Sequence, residues 1–133
     1  MEFSGQYLTY EEYKVLGGTI DLMPFNVSEY ETRRMVDIRT QNRLKDIEKV
    51  PDEVKMCINR MINSIEPYIK SAKQIAENGN IASVGTDGYS ESYITPTQIK
   101  DIILSKKTEM EDIMRNYLIG VIVNDEHIMF TGV

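Results

Sequence analysis

The chain has little with which to do redox, metal or membrane chemistry. Its 133 residues include one cysteine, Cys57, and one histidine, His127. A lone cysteine excludes an internal disulfide and makes a reducing, intracellular origin the expectation. Zinc sites draw roughly three or four ligands largely from His and Cys, so no metal or other cofactor is expected. No apolar run approaches the roughly 20 residues that a membrane helix needs, and no membrane is expected among the partners. The opening Met1-Glu2-Phe3-Ser4-Gly5 lacks the basic-then-apolar layout of a secretory signal, so export is not expected. Gly85-Thr86-Asp87-Gly88 lacks the Gly-Lys-Ser/Thr ending of a phosphate loop.

Positive charge is also scarce. Net charge is −6: four acids and one base over residues 1–27, eight acids and ten bases over 28–76, nine acids and four bases over 77–133. Sequence-reading nucleic-acid binding normally shows a clearly basic face, which this balance argues against. Arg33, Arg34, Arg39 and Arg43 read better as a solvated helix face paired with neighbouring acids than as phosphate contacts. What is present is ordinary for a globular protein, 41% hydrophobic and 27% charged residues, and the length suits one domain over 1–133.

The pattern predicts a mostly α fold: a small bundle of about four helices (body about 9–119), a β-hairpin or loop at about 81–95, and an extended C-terminal tail at about 120–133. Thr9 with Glu12 forms a capping box, and Gly17-Gly18 ends the first helix. Residues 19–27 read as a loop, with Pro24 keeping Met23 out of the helical region. A second helix is expected from Ser28, with Glu31 three residues on, to about Leu44. Tyr30, Met35, Ile38 and Leu44 are its inward residues, and its thin apolar stripe implies a broad polar face or a polar neighbour. The third helix starts near Pro51 and carries Val54, Ile58, Met61, Ile62, Ile65, Ile69, Ala72 and Ala76 at helical spacing. Pro67 should kink or break it near Glu66, and Asn78-Gly79-Asn80 should end it. Asp87-Gly88 and the alternation around Tyr89 and Tyr93 read as an exposed hairpin. The last helix opens at Thr95-Pro96-Thr97-Gln98, keeps Ile99, Ile102, Ile103, Met110, Ile113, Met114 and Tyr117 inward, and stops at Gly120. Two short strands around a polar turn follow.

Catalytic readings find little support. His127 reads as a surface-turn histidine. Cys57 reads as core packing beside Ile58 and Met61 rather than as a nucleophile. Glu109, Glu111 and Asp112 do not share one helical face and read as solvated surface. Asp37, Thr40 and Arg43, three apart on the second helix, form a structural polar set. They either bond a neighbouring helix or subunit, or line a solvent face with a local Asp37 contact to Arg33 or Gln41.

Several segments, taken in order, carry a resemblance. They are Tyr7-Leu8-Thr9-Tyr10-Glu11-Glu12-Tyr13-Lys14-Val15-Leu16-Gly17-Gly18, Phe25, and Val36-Asp37-x-x-Thr40-x-x-Arg43. They continue with the hairpin of Ser83-Val84-Gly85 and Gly88 to Tyr93, then Tyr117-Leu118-x-Gly120, and the ending Phe130-x-Gly132-Val133. Together they resemble the head-tail connector (adaptor, or head-completion) proteins of tailed bacteriophages and prophages. Thr131 stands where related proteins often carry an arginine. The resemblance implies a structural virion protein rather than an enzyme. Such a protein assembles as a homo-oligomeric ring, typically dodecameric, beneath the portal protein, and joins the head to the stopper or tail-completion protein. DNA passes through the channel without sequence-specific binding. The expected location is the virion, and the host cytoplasm during assembly. On this reading Tyr117, Leu118, Gly120, Ile122, Ile128, Phe130, Gly132 and Val133 form a portal-docking arm, whose apolar residues find their burial on another chain. Val84, Asp87, Tyr89 and Tyr93 contact the adjacent subunit or the next ring. The alternatives are a small intracellular helical regulatory or binding protein without catalytic activity, and a metal-dependent enzyme using the acidic clusters.

Overall fold

Five helices and a two-stranded antiparallel sheet make up the described residues. The computed structural model describes residues 4–45, 47–83, 94–124 and 126–129, and for 76–83 the backbone course alone. Helix α1 spans Tyr10–Val15. The Thr9 hydroxyl accepts from the Glu12 N–H at 3.1 Å, and the Glu12 carboxylate accepts from the Thr9 N–H at 2.9 Å, so both halves of the capping box form. At the other end Gly17 takes φ +94°. Its N–H bonds the Lys14 carbonyl at 3.0 Å, and the Gly18 N–H bonds the Tyr13 carbonyl at 2.9 Å. Those two bonds satisfy carbonyls that a helix end otherwise leaves open.

Helix α2 runs Leu22–Arg39, six residues ahead of the expected start at Ser28. Pro24 lies in its first turn, where a missing N–H has no helical partner to lose. Asp21 occupies the cap position without a side-chain cap bond; its carboxylate pairs instead with Lys73 at 3.1 Å. The far end also departs from expectation, because the helix stops at Thr40 rather than near Leu44. Gln41 and Asn42 both take positive φ, at 54° and 61°. The Asn42 N–H then reaches the Asp37 carbonyl at 2.8 Å, closing the helix as a glycine would. The inward residues are corrected in part, since Leu44 is buried as expected and Met35 packs against the core. Tyr30 and Ile38 are exposed and Met35 is half-buried, while Phe25, Val27 and Val36 are buried together with Asn26, Ser28, Glu29 and Thr32. The polar neighbour that the thin stripe implied is therefore inside the fold.

Helix α3 spans Asp52–Ser83 without interruption. Neither the expected break at Pro67 nor the stop at Asn78 occurs. Pro67 faces outward, and buried Ile65 and Ile69 on either side hold the helix against the body. Residues 81–83 are accordingly helical rather than the start of a hairpin. The single last helix becomes two, α4 (Pro96–Ser105) and α5 (Lys107–Leu118). Its predicted start holds, with the Thr95 and Gln98 side chains exchanging both box bonds. The break falls at Lys106, φ −107° and ψ 23°, where a lysine follows the buried pair Ile99 and Ile103 at the next inward position. Strands β1 (Ile122–Val123) and β2 (Glu126–His127) pair with Ile122 opposite His127 and Val123 opposite Glu126.

Helix α3 is the spine. Helix α2 packs on α3 and α4, and α5 packs on α3. Val54, Ile58, Met61, Ile62 and Ile65 fill the centre from the predicted stripe, joined by Phe25, Val36, Ile99, Ile103, Met110 and Leu118. Tyr13 stacks on Phe25 with ring centroids 4.7 Å apart. Its hydroxyl accepts the backbone N–H groups of Thr19 at 3.0 Å and Ile20 at 2.9 Å.

Candidate functional site

The predicted polar set lies at the C-terminal end of α2, and two distant segments meet there. The Tyr7 hydroxyl donates to Asp37 Oδ1 at 2.5 Å. Arg43 donates to the Ile128 carbonyl at 3.5 Å, and its Nε lies 3.6 Å from the Glu126 carboxylate. Thr40 is buried, with its hydroxyl turned back on the Val36 carbonyl at 2.8 Å. Neighbouring segments of the same chain thus take up Asp37 and Arg43, in place of the local Arg33 or Gln41 contact. Arg39 extends the junction to α5 through Glu111 at 2.7 Å.

Upstream, the buried polar face of α2 receives residues 4–9. Gln6 donates to Asn26 at 3.0 Å, and the Tyr7 N–H donates to Glu29 Oε2 at 2.9 Å. Arg33 bonds Glu29 Oε1 at 3.1 Å and the Ser4 carbonyl at 3.2 Å. Burial raises the Glu29 carboxyl above the ordinary carboxylate range, although Arg33 and the Tyr7 N–H oppose the shift. Burial, with the Asp37 hydrogen bond and charge behind it, likewise holds the Tyr7 phenol far above its ordinary value. An anion kept out of water with one cation and the backbone N–H groups of Tyr7 and Leu8 is well placed to position a segment. It offers no accessible acid or base.

The docking arm requires correction. Leu118 and Ile128 are wholly buried in this chain's own core, and Val121 and Met129 join them. The Ile128 N–H bonds the Val121 carbonyl at 3.0 Å, which folds the segment back on the body. Val121, Ile128 and Met129, after Gly120, therefore find burial at home, contrary to the expectation of an unburied arm. Tyr117 is half-buried, and Ile122 and Gly120 are exposed. Phe130, Gly132 and Val133 lie outside the described residues, as do Val84, Asp87, Tyr89 and Tyr93.

His127 is exposed on β2. Cys57 is buried with its sulfur 3.8 Å from that of Met61, and burial pushes its thiol up to about 12. Among the described residues no three His, Cys, Asp or Glu side chains gather where they could hold a metal. Among the same residues, no helix is long and apolar enough to cross a membrane.

Sequence reasoning missed one surface feature. Between α3 and α5 runs an open groove of about 470 Å³, lined by Arg60, Asn63, Ser64, Glu109, Ile113, Asn116 and Tyr117. A second depression of about 420 Å³ shares Asn116 and adds Asp112, Arg115 and Ile119. Asn63 and Asn116 were readable as polar positions bordering two apolar stripes, but their meeting depends on how α3 and α5 pack. Comparison with protein-family models, curated proteins and solved structures gives no match for this chain.

Proposed function

We propose that this chain is a structural adaptor of the head-tail connector kind, a subunit of a ring that joins a portal to a stopper or tail and carries no catalytic activity. The observation that carries the reading is the meeting of two of the resembling segments with the residues just ahead of a third. The opening Tyr7 bonds Asp37 of the Asp-x-x-Thr-x-x-Arg pattern, and Arg43 of that pattern bonds the Ile128 carbonyl just ahead of the Phe-x-Gly-Val ending. Residues widely separated in sequence that share one junction have a structural reason to occur together. The acidic balance suits a channel wall that lets phosphate slide past rather than holding it, and repetition around a ring adds weak contacts into firm attachment.

Within this reading the portal-facing candidates narrow to exposed Gly120 and Ile122, half-buried Tyr117 and the terminal residues Phe130, Gly132 and Val133. Val84, Asp87, Tyr89 and Tyr93 remain the candidates for the neighbouring subunit or next ring. The test is electron microscopy of the purified chain mixed with the portal protein of the same genome. Rings seated on the portal are expected. A chain that stays monomeric in light scattering and leaves the portal bare would overturn the reading. Deleting 121–133 would remove core residues along with the candidate arm. Truncation after Met129 and Ile122→Asp are therefore the variants to use, and both should weaken portal attachment while the body stays folded.

A further inference from the structure

Residues 4–7 lie across one row of side chains on α2. Gln6 reaches Asn26, the Tyr7 N–H reaches Glu29, the Ser4 carbonyl meets Arg33 and the Tyr7 hydroxyl meets Asp37. Asn26, Glu29, Arg33 and Asp37 are spaced three, four and four residues apart, so they share one ridge of the helix. Every member of the ridge is polar. The α3 stripe that meets the rest of the body is by contrast Val54, Ile58, Met61, Ile62 and Ile65.

This polar layer is incompletely satisfied. Gln6 Oε1 and Arg33 Nη2 are buried in it without a hydrogen-bond partner among the described residues, and the Glu29 side chain is wholly out of water. Opening the layer would return these groups to solvent, so the polar part of the contact gives closure little net advantage. Ser4 and Gly5 are themselves exposed. Gly5 takes φ +77°, and a Cβ there would lie 3.3 Å from Arg33 Nη1. The Tyr7 side chain is what holds the segment down. It is buried, the Arg33 guanidinium lies 6.0 Å from its ring centre, and its hydroxyl bonds Asp37 at 2.5 Å. The following residues belong to the body. Leu8 is wholly buried, and Thr9 is locked into the capping box of α1.

We propose that residues 4–7 form a strap that opens and closes on α2 as a unit, turning about the Tyr7–Leu8 link while the five helices stay packed. Opening lifts the Tyr7 ring from its seat, bares Glu29 and Arg33, and releases Asp37 from its tyrosine partner near the Arg43 junction. A segment near a chain end that is tied down through one side chain belongs to the low-stability part of a fold. The strap thus decides whether the charged row on α2 faces protein or water. The proposal is independent of ring formation and of the portal.

The test is native-state hydrogen exchange of the full chain, followed residue by residue by NMR in rising sub-denaturing urea. The Tyr7 amide should be less protected than the Ile58, Ile62 and Ile65 amides of α3 by about a hundred-fold or more. Its exchange should not change with urea, because opening so short a strap exposes little surface, whereas the α3 amides should exchange faster at each step. Gly5→Ala strains and crowds only the closed form, and should speed exchange of the Tyr7 amide about ten-fold. Tyr7→Phe removes the Asp37 bond and should speed the amide at position 7 by about the same factor. Circular dichroism of each variant checks the helices. A variant that loses them would show the strap to be part of the body and would overturn the proposal. So would a Tyr7 amide with the protection and urea dependence of α3, or one that neither substitution moves.

Discussion

Gly17 and Gly18 are adjacent and look equivalent in the sequence, yet alanine should act on them through different physics. Gly17 has φ +94°, but a Cβ there would meet nothing within 4 Å. Gly17→Ala therefore carries only the backbone cost of a left-handed L-residue, about 1–2 kcal/mol. Gly18 has no positive φ; a Cβ there would drive into three atoms of the Tyr13 ring. That ring cannot swing aside freely, because it is fully buried, stacked on Phe25, and bonded through its hydroxyl to two backbone N–H groups. Overpacking of this kind costs about 1–3 kcal/mol. If the ring shifts, the Thr19 and Ile20 N–H groups lose their acceptor; the buried Ile20 N–H adds about 1–3 kcal/mol, while the exposed Thr19 can turn to water. The expected loss for Gly18→Ala is about 2–6 kcal/mol, a large share of the roughly 5–15 kcal/mol that holds a domain together. Urea unfolding followed by circular dichroism at 222 nm measures both variants. Tyr13→Phe alone should cost about 2 kcal/mol by removing the acceptor of the same two N–H groups. Combined with Gly18→Ala it should be less than additive, since both changes act through one hydroxyl. A Gly18→Ala variant no less stable than Gly17→Ala, or strict additivity with Tyr13→Phe, would refute the reasoning.

Three further outcomes follow from the structure. Ile128→Ala should destabilise the isolated chain by about 2–5 kcal/mol, as for other large-to-small core changes; a residue waiting for a partner would show no effect in the same urea titration. Cys57, with its thiol pushed up to about 12 by burial, should react with a thiol reagent at pH 8 only as fast as the chain unfolds, and faster labelling in native buffer would contradict its burial. Tyr7 governs the alkaline limb. Its folded phenol, raised mainly by burial and then by Asp37, keeps a proton that the unfolded chain gives up near 10.0. Stability present below pH 10.0 is therefore lost as pH rises through the interval above it, and Tyr7→Phe should make that decline shallower in urea melts taken at about pH 9 and pH 11.

Local chemistry was legible where one side chain decides one backbone bond. Thr9 with Glu12 and Thr95 with Gln98 mark their helix starts because each box needs only residues three apart. The stripe from Val54 to Ile69 and the short paired strands around Asn124 follow equally directly from spacing. Helix α2 was misread at both ends for lack of such a marker. Asp21 spends its carboxylate on Lys73, across the fold, and Gln41 and Asn42 adopt the left-handed geometry that a glycine usually announces. Pro67 shows the reverse, since packing of Ile65 and Ile69 on either side carries α3 through a residue that locally disfavours it. Among the candidate site residues, Asp37 and Arg43 could be picked out by spacing, but their partners Tyr7 and Ile128 lie 30 and 85 residues away. The burial of Ile128 is equally non-local. An apolar segment after a helix looks the same in sequence whether it closes its own core or another chain's.

The junction at the end of α2 has a mechanical consequence. Tyr7 and Ile128, near opposite ends of the described chain, are both tied to α2 or the turn just after it, within the seven positions from Asp37 to Arg43. The chain therefore behaves as a loop clasped at one point. Tension applied between the ends of the described chain passes through the Ser4 and Gln6 contacts to the Tyr7–Asp37 bond on one side, and through buried Met129 to the Arg43–Ile128 bond on the other, before the packed helices behind them feel it. The ends can then peel away and be drawn towards a neighbour while α2, α3 and α4 keep their packing, so the same clasp that closes the fold also acts as its mechanical fuse.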